Sequence, residues 1–338
     1  TLTITSTDVS ALNFPSENTF MATLETFNIS GGAAGGVAVS IGSNAFDSSP
    51  SFTTMIADGT SDSLSVFSEF GNNGVDLRDI TLTNVETVSM GQASLQQFMR
   101  INADTTLTGL TAISGTLDGG SVDDIILING DRDFSGVTFT NVDTISLQDG
   151  DTGQQTIAAS ASTAFGITEI QNFASGSGST ADIFDYTSAL KAGDGTTVSA
   201  GTGSSSQLEL TTVTAGSGAV TAISGNSSGV VEFEDSDLSL LSIDLSSATA
   251  SAILDGVETL LESRDSGTQL TGSSTQVTQG GTDTDMLLVF FEGSNDSVIV
   301  RYQETGISSN DTAADYNEEL SVVAILDGVG SIVDGNLI

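Results

Sequence analysis

Cysteine and histidine are absent from this sequence of 338 residues, and only 6 lysines and arginines stand against 44 aspartates and glutamates. Without cysteine the chain cannot form disulfides, thiolate nucleophiles, iron–sulfur clusters or cysteine zinc sites. Without a basic stripe it cannot replace the counterions of a nucleic acid or bind an anionic membrane surface. The longest apolar run, Met286 to Phe291, is shorter than the roughly 18–20 residues of a membrane span. We therefore expect no nucleic-acid partner and no membrane insertion.

The formal net charge of −38 opposes a compact state, and so few basic residues offset only a small part of it. Compensation must come from bound cations such as Ca²⁺ or from salt. A hydrophobic content of 38 % is nevertheless enough for a core, so the chain is expected to fold. Because position 1 is Thr rather than Met, we interpret the chain as processed or as a fragment.

A repeat of about sixty residues is visible in the first half of the chain. Three segments share the order apolar, acidic, Thr, apolar, polar, apolar: Leu24–Ile29, Val85–Met90 and Val142–Leu147. Their acidic anchors Glu25, Glu86 and Asp143 are 61 and 57 residues apart. We interpret these anchors as equivalent positions that are solvated or hydrogen-bonded, rather than as catalytic groups.

A second signal follows each copy, an Asp that opens an alternating apolar strand. These residues are Asp62, Asp124 and Asp182, which lie 37, 38 and 39 residues after the acidic anchors. Thr and β-branched residues at period two, bounded by Gly, Asn, Asp and Ser, predict strands throughout this region. A repeat that cannot bury its own face stacks on its neighbours, so the sequence predicts an all-β fold with a parallel, β-helix-like solenoid.

The repeat loosens beyond about residue 190, which predicts two regions. Residues 1–190 hold three β repeats, and residues 191–338 form a C-terminal β module with at most one or two short helices. Ser246 or Ser247 is the expected helix cap. The elements predicted in the module are a helix over Ser246–Glu262, a hairpin of Leu287–Glu292 and Val298–Gln303, and a strand over Leu320–Leu326.

Glycine-rich turns indicate where Ca²⁺ binds. In the nonapeptide of calcium β-rolls, Gly-Gly-x-Gly-x-Asp-x-apolar-x, the glycines permit the turn while the Asp and turn carbonyls bind the ion. Gly119–Ile126 and Gly280–Leu287 are degraded forms, with Val122 and Asp283 in place of the third glycine. The predicted Ca²⁺ ligands are Asp124, Asp285, Asp283, Asp123, Asp182 and Asp62.

These turns, the Thr-Asn-Val-acidic-Thr segments and the aliphatic stretches Leu287–Phe291 and Val322–Val329 resemble the calcium-binding, type I secreted bacterial proteins related to RTX proteins, and in particular their S-layer members. The resemblance implies an extracellular location on the bacterial surface, calcium-driven folding after export and a secretion-signal-like C-terminal end. It also implies two partners, the type I secretion machinery and further copies of the chain in a lattice. Since no nonapeptide is perfect in tandem, isolated calcium sites are expected rather than a continuous ladder.

The sequence favours a structural surface protein over an enzyme, with S-layer and filament both open. One alternative is a parallel β-helix polysaccharide lyase or hydrolase, but the six basic residues that a lyase would draw on are scattered through the sequence. Another is an adhesin stalk or sugar-binding tip, for which three Tyr and no Trp supply little ring surface. Self-assembly is expected through two adhesive ends, Thr1–Thr5 and Ile325–Ile338.

Overall fold

The structure is a computed structural model, and it divides the chain into two units, residues 1–151 and 152–338. It describes residues 1–5, 10–14, 24–29, 36–42, 53–58, 61–67, 74–90, 96–102, 104–115, 123–147, 153–163, 165–191, 197–198, 210–213, 229–233, 238–264, 285–293, 295–303, 320–333 and 335–337.

The first unit is a parallel β-solenoid in which successive coils of the chain add strands to three sheets. The first sheet has the spatial order β1 (Leu2–Ile4), β3 (Thr26–Ile29), β5 (Thr54–Ile56), β8 (Thr81–Thr83) and β11 (Thr106–Thr108). The second has the order β2 (Ala11–Phe14), β4 (Ala38–Gly42), β6 (Ser63–Phe67), β9 (Thr87–Met90), β12 (Ala112–Ser114) and β15 (Thr138–Thr140). The third contains β7 (Gly74–Asp76), β10 (Gln97–Asn102), β13 (Asp124–Asn129) and β16 (Thr144–Leu147). The short strand β14 (Arg132–Asp133) lies outside these three sheets. The pairings in these sheets are parallel, which confirms the predicted all-β solenoid.

One coil of the solenoid is less than half as long as the repeat seen in the sequence. In the first two sheets, successive strands are 24 to 28 residues apart; Leu64 pairs with Val88, for example, and Phe27 with Met55. The predicted spacing of about sixty residues therefore exceeds two coils. As a result, the three segments that defined the repeat enter different sheets, β3 in the first, β9 in the second and β16 in the third.

The similarity between the second and third segments arises from a shared corner. Asn84 and Asn141 both have a left-handed backbone, with φ of 55° and 54°, a conformation that Asn tolerates better than most residues with a Cβ. The following residues, Val85 and Val142, are buried beneath the corner. The same local sequence thus turns the chain between the first and second sheets in one coil and between the second and third sheets in a later one.

Alternate strand residues point into the solenoid and form its core. In the second sheet, Val39, Leu64, Val88 and Ile113 occupy the same position in successive coils, and each is at most 1 % exposed. Burying a side chain of this kind contributes about 1.5–3 kcal/mol. Stacking one coil on the next is therefore the main source of stability in this unit.

The second unit combines parallel strands with an antiparallel module. Strands β17 (Thr156–Ala159) and β19 (Ile183–Tyr186) pair in parallel. The larger sheet has the order β21 (Thr197–Val198), β20 (Leu190–Lys191), β24 (Asp285–Glu292), β25 (Asp296–Gln303), β26 (Leu320–Leu326) and β18 (Glu169–Gln171), while β22 (Leu210–Val213) pairs with β23 (Val230–Phe233), which joins β24. The predicted hairpin is confirmed by the antiparallel pairing of β24 and β25, and β26 has the predicted bounds.

Helix α1 (Ala250–Arg264) and the 3₁₀ helix Leu238–Leu241 pack on this module. Their buried side chains join those of the strands in one apolar cluster. It includes Leu238, Ile253, Val257, Leu288, Phe290 and Val300. The helix predicted near Ser246–Glu262 is present, and the strands that it covers are buried on both faces.

The helix begins four residues later than predicted because a different residue caps it. The Thr249 hydroxyl accepts a hydrogen bond from the Ala252 N–H at 3.2 Å, which satisfies one of the free donors of the first turn. Ser246 and Ser247 instead lie in a turn before the helix, where the Asp244 side chain accepts the Ser246 N–H.

The boundary between the units lies at residue 151, whereas the sequence placed it at 190. The intervening segment belongs to the second unit because it is bonded to the antiparallel module. Strand β18 pairs with β26, joining Glu169 to Ile325. The buried Asn336 side chain accepts a hydrogen bond from the Gly176 N–H and donates one to the Asp182 carbonyl.

The aliphatic C-terminal residues, expected to form an adhesive end, are packed inside the second unit. The buried side chains are Ile325, Leu326, Val329, Ile332 and Leu337. Leu337 also forms a parallel bridge with Phe184 of β19. The C-terminal segment therefore lies beside β19 and is part of the core of this unit.

Candidate calcium sites

Three of the predicted calcium ligands share a position at the start of a strand. Asp62 precedes β6, Asp124 begins β13 and Asp182 precedes β19, and the three are at most 3 % exposed. Burial of a carboxylate is costly unless hydrogen bonds or a cation replace its hydration. Their surroundings therefore determine what these residues can do.

Each of the three carboxylates accepts a backbone N–H from the neighbouring coil. Asp62 Oδ1 lies 2.6 Å from the Val37 N, Asp124 Oδ1 lies 3.2 Å from the Gln97 N, and Asp182 Oδ1 lies 2.8 Å from the Gln155 N. In every case the donor is the residue stacked next to the Asp, one coil earlier. The side chain thus completes the hydrogen bonding of a coil just before its strand begins.

Two of the acidic anchors continue this arrangement. Glu86 Oε2 accepts the Asp62 N–H at 2.6 Å, and Asp143 Oδ2 accepts the Asp124 N–H at 2.7 Å. The expectation that Glu86 and Asp143 are hydrogen-bonded is thereby confirmed. However, Glu86 precedes β9 of the second sheet and Asp143 precedes β16 of the third sheet, so the two positions are not equivalent.

Asp182 has a second backbone partner in the turn that precedes it. Its Oδ2 accepts the Ala174 N–H at 2.8 Å, so both carboxylate oxygens bind main-chain donors. Gly178 lies in the same turn with a φ of 128°, a conformation that favours glycine. The Asp therefore holds the turn and the preceding coil together.

Asp285 is paired with an arginine. Its Oδ1 accepts from Arg301 Nε at 2.7 Å and its Oδ2 from Arg301 Nη2 at 2.6 Å, and each side chain is 14 % exposed. Hydrogen bonding to Asp285 raises the pKa of Arg301 above its ordinary value. Nearby, burial and to a smaller extent the Asp285 charge raise the pKa of Tyr186 to about 12, against the opposing effect of Arg301.

The two remaining predicted ligands are Asp123 and Asp283. Asp123 is exposed beside the buried Asp124. Asp283 lies outside the described residues, as do the paired glycines of both degraded nonapeptides. Within the described ranges, no three acidic side chains converge into a group able to hold a metal ion. The calcium assignments of all six residues stay predictions.

A carboxyl pair that the sequence analysis missed lies at the end of the antiparallel module. Ser297 of β25 pairs with Leu326 of β26, which places Asp296 beside Asp327. Burial, and then the charge and hydrogen bond of Asp296, raise the pKa of Asp327, while the Gly328 N–H opposes the shift. Gly328 N also donates to Asp296 Oδ1 at 2.8 Å. Two carboxyl groups in hydrogen-bond contact need either a shared proton or a cation.

Replacing Asp327 with Asn is expected to stabilise the protein at neutral pH in the presence of a chelator. The raised folded-state pKa means that protonation favours the folded form, so this contribution is complete below the ordinary value of 3.8 and is lost as the pH rises through the folded-state pKa. Urea unfolding between pH 3 and 7 measures the effect, with the exposed Asp123→Asn as control. A variant less stable than the wild type at neutral pH would contradict the assignment.

Three arginines have well-defined partners in the part of the chain that the structure describes. Arg78 forms an ion pair with Asp76, Arg301 pairs with Asp285, and Arg132 Nη1 donates to the Thr105 carbonyl at 2.7 Å. Arg78 and Asp76 are separated by two residues in a surface turn. Each of these arginines therefore has a structural partner.

The fold and its strand-start carboxylates define a parallel β-solenoid protein with a C-terminal antiparallel module. No protein-family model, curated protein or solved structure matches the chain. Among the helices that the structure describes, none has the length and apolar character needed to cross a bilayer.

Proposed function

We propose that this chain is a structural protein of the bacterial cell surface, an S-layer or filament subunit that folds and self-assembles with Ca²⁺. The excess of acidic residues carries the proposal. The 44 aspartates and glutamates outnumber the 6 lysines and arginines so far that the chain has a net charge of −38 even if every basic residue is paired. The uncompensated carboxylates repel one another, and a divalent cation relieves this repulsion and can join carboxylates of adjacent copies.

The Asp296–Asp327 pair supports calcium as that cation. When both carboxyl groups are charged, the pair brings two negative charges into contact, and a bound cation offsets their repulsion. Ca²⁺ accepts carboxylate oxygens in flexible geometry, and extracellular modules bind it with Kd of about 10⁻⁴–10⁻³ M. Such affinities leave the sites empty inside a cell and filled outside it. Export by the type I secretion machinery before folding fits this difference.

Electron microscopy and light scattering of the full chain, with Ca²⁺ and with chelator, test the proposal. Ordered sheets or filaments are expected only with Ca²⁺. Mg²⁺ at the same ionic strength is the control, because its smaller octahedral shell accepts fewer protein oxygens. A chain that stays monomeric in Ca²⁺ would remove the assembly proposal. A calorimetric titration that detects no calcium binding would rule out Ca²⁺ as the cation in this proposal.

A further inference from the structure

The outward face of the first sheet carries two columns of side chains, called here the threonine face. The first column contains four threonines that are direct partners on consecutive strands: Thr26, Thr54, Thr81 and Thr106. The second column contains the residues two positions further along each strand, preceded by one from β1: Thr3, Asn28, Ile56, Thr83 and Thr108. Each of these side chains is partly or fully exposed.

The fold alone does not require threonine at these positions. The second sheet has two outward columns with threonine at three of ten positions: Ala38, Ser63, Thr87, Ala112 and Thr138 in one, and Ser40, Ser65, Ser89, Ser114 and Thr140 in the other. Both sheets have the same parallel pairing and similar strand lengths, so β propensity acts on both alike. The coils that join the first column differ in length, at 28, 27 and 25 residues, yet threonine returns in register each time.

The threonine face is electrically neutral on a chain of net charge −38. Strand geometry spaces its side chains about 4.8 Å apart between strands and roughly 6.6 Å apart along each strand. The face therefore presents a two-dimensional array of hydroxyl and methyl groups at repeating distances. A ligand that matches this face is an uncharged surface whose hydrogen-bonding groups repeat at similar distances.

We propose that the threonine face binds the surface of ice. The oxygen atoms of ice form a neutral lattice with repeats close to those of the array, and water at that surface can satisfy each hydroxyl. A second copy of the chain fits this face less well. Sheets that pack together interdigitate apolar side chains, and protein interfaces concentrate aromatic residues, Met and Arg. The nine side chains include one large apolar residue, Ile56, and the hydroxyls would lose hydration on docking.

The test uses the full chain without a label, measured by gel densitometry of the ice and liquid fractions, during slow growth of an ice hemisphere. The wild type is expected to be enriched in the ice fraction and to produce thermal hysteresis and a faceted crystal. Thr81→Tyr places a bulky ring in the middle of the first column and is expected to lose most of the enrichment. Thr106→Tyr, at the exposed last strand of the sheet, is the second variant in case the first unfolds.

Thr87→Tyr is the matched control, because Thr87 lies in the same coil as Thr81 but faces outward from the second sheet. It is expected to keep the wild-type enrichment. A wild type excluded from ice overturns the proposal, as does equal loss in the Thr87 and Thr81 variants. Sedimentation in the cold gives a separate result: association removed by Thr81→Tyr would assign the face to a second copy instead. These outcomes are independent of assembly in Ca²⁺.

Discussion

Replacing Arg301 with Met is expected to lower the free energy of unfolding by about 3 kcal/mol, because one partner of a largely buried ion pair is removed. The Asp285 carboxylate would then lose both of its charge-assisted hydrogen bonds, at 2.7 and 2.6 Å. Its remaining exposure of 14 % allows little rehydration. Urea denaturation at neutral pH, followed by far-UV circular dichroism, measures the loss.

Arg78→Met is the matched control for this experiment. Arg78 makes a similar two-pronged contact with Asp76, but half of its side chain is exposed. Exposed pairs contribute about 0–1 kcal/mol, so the control is expected to change stability little. The double change Asp285→Leu with Arg301→Met is expected to recover most of the loss, since no unpaired charge remains buried. Equal losses at Arg78 and Arg301 would show that burial of the pair is unimportant.

Replacing Asp182 with Ala is expected to cost roughly 3 kcal/mol, because the Gln155 and Ala174 N–H groups both lose their acceptor. A buried donor left without a partner costs about 1–3 kcal/mol. The hydrogen bonds do not depend on a metal, so the loss is expected in chelator as well as in Ca²⁺. Thermal melts under both conditions, at fixed ionic strength, measure it.

Asp123→Ala serves as the control for the strand-start carboxylates, because Asp123 is acidic but exposed. Its replacement is expected to change the melting temperature little in chelator. If the loss in Asp182→Ala appeared only in Ca²⁺, the carboxylate would be acting as a metal ligand. The experiment therefore separates the calcium prediction from the hydrogen-bonding role.

Strand positions and the solenoid class were predictable because they depend on local patterns. Alternation around Leu64 and Ile126 identifies half-buried strands, and stacked repeats supply the missing face. The coil length was not predictable from the same similarity. The corner at Asn84 recurs at Asn141 on a different side of the solenoid, so sequence spacing measured corners rather than coils.

The candidate sites, too, were predictable where they depend on local sequence and unpredictable where they depend on long-range pairing. The turn pattern located Asp62, Asp124 and Asp182, but their backbone partners lie 25 to 27 residues earlier and follow from coil length alone. Pairing of Asp285 with Arg301 depends on the register of the hairpin. Asp296 and Asp327 meet only when β25 and β26 are aligned. These long-range placements leave no mark in local composition.

The strand-start carboxylates also determine how the solenoid responds to a pulling force. Asp62 joins its coil to the preceding one through Val37, and Glu86 joins the next coil to Asp62. Each bond spans 24 or 25 residues, so it ties a coil to its immediate neighbour. Under tension along the stack, coils would detach one after another, each releasing about 80 Å of chain at roughly 3.3 Å per residue. The first unit can therefore lengthen in steps and dissipate work while the coils that remain keep their fold.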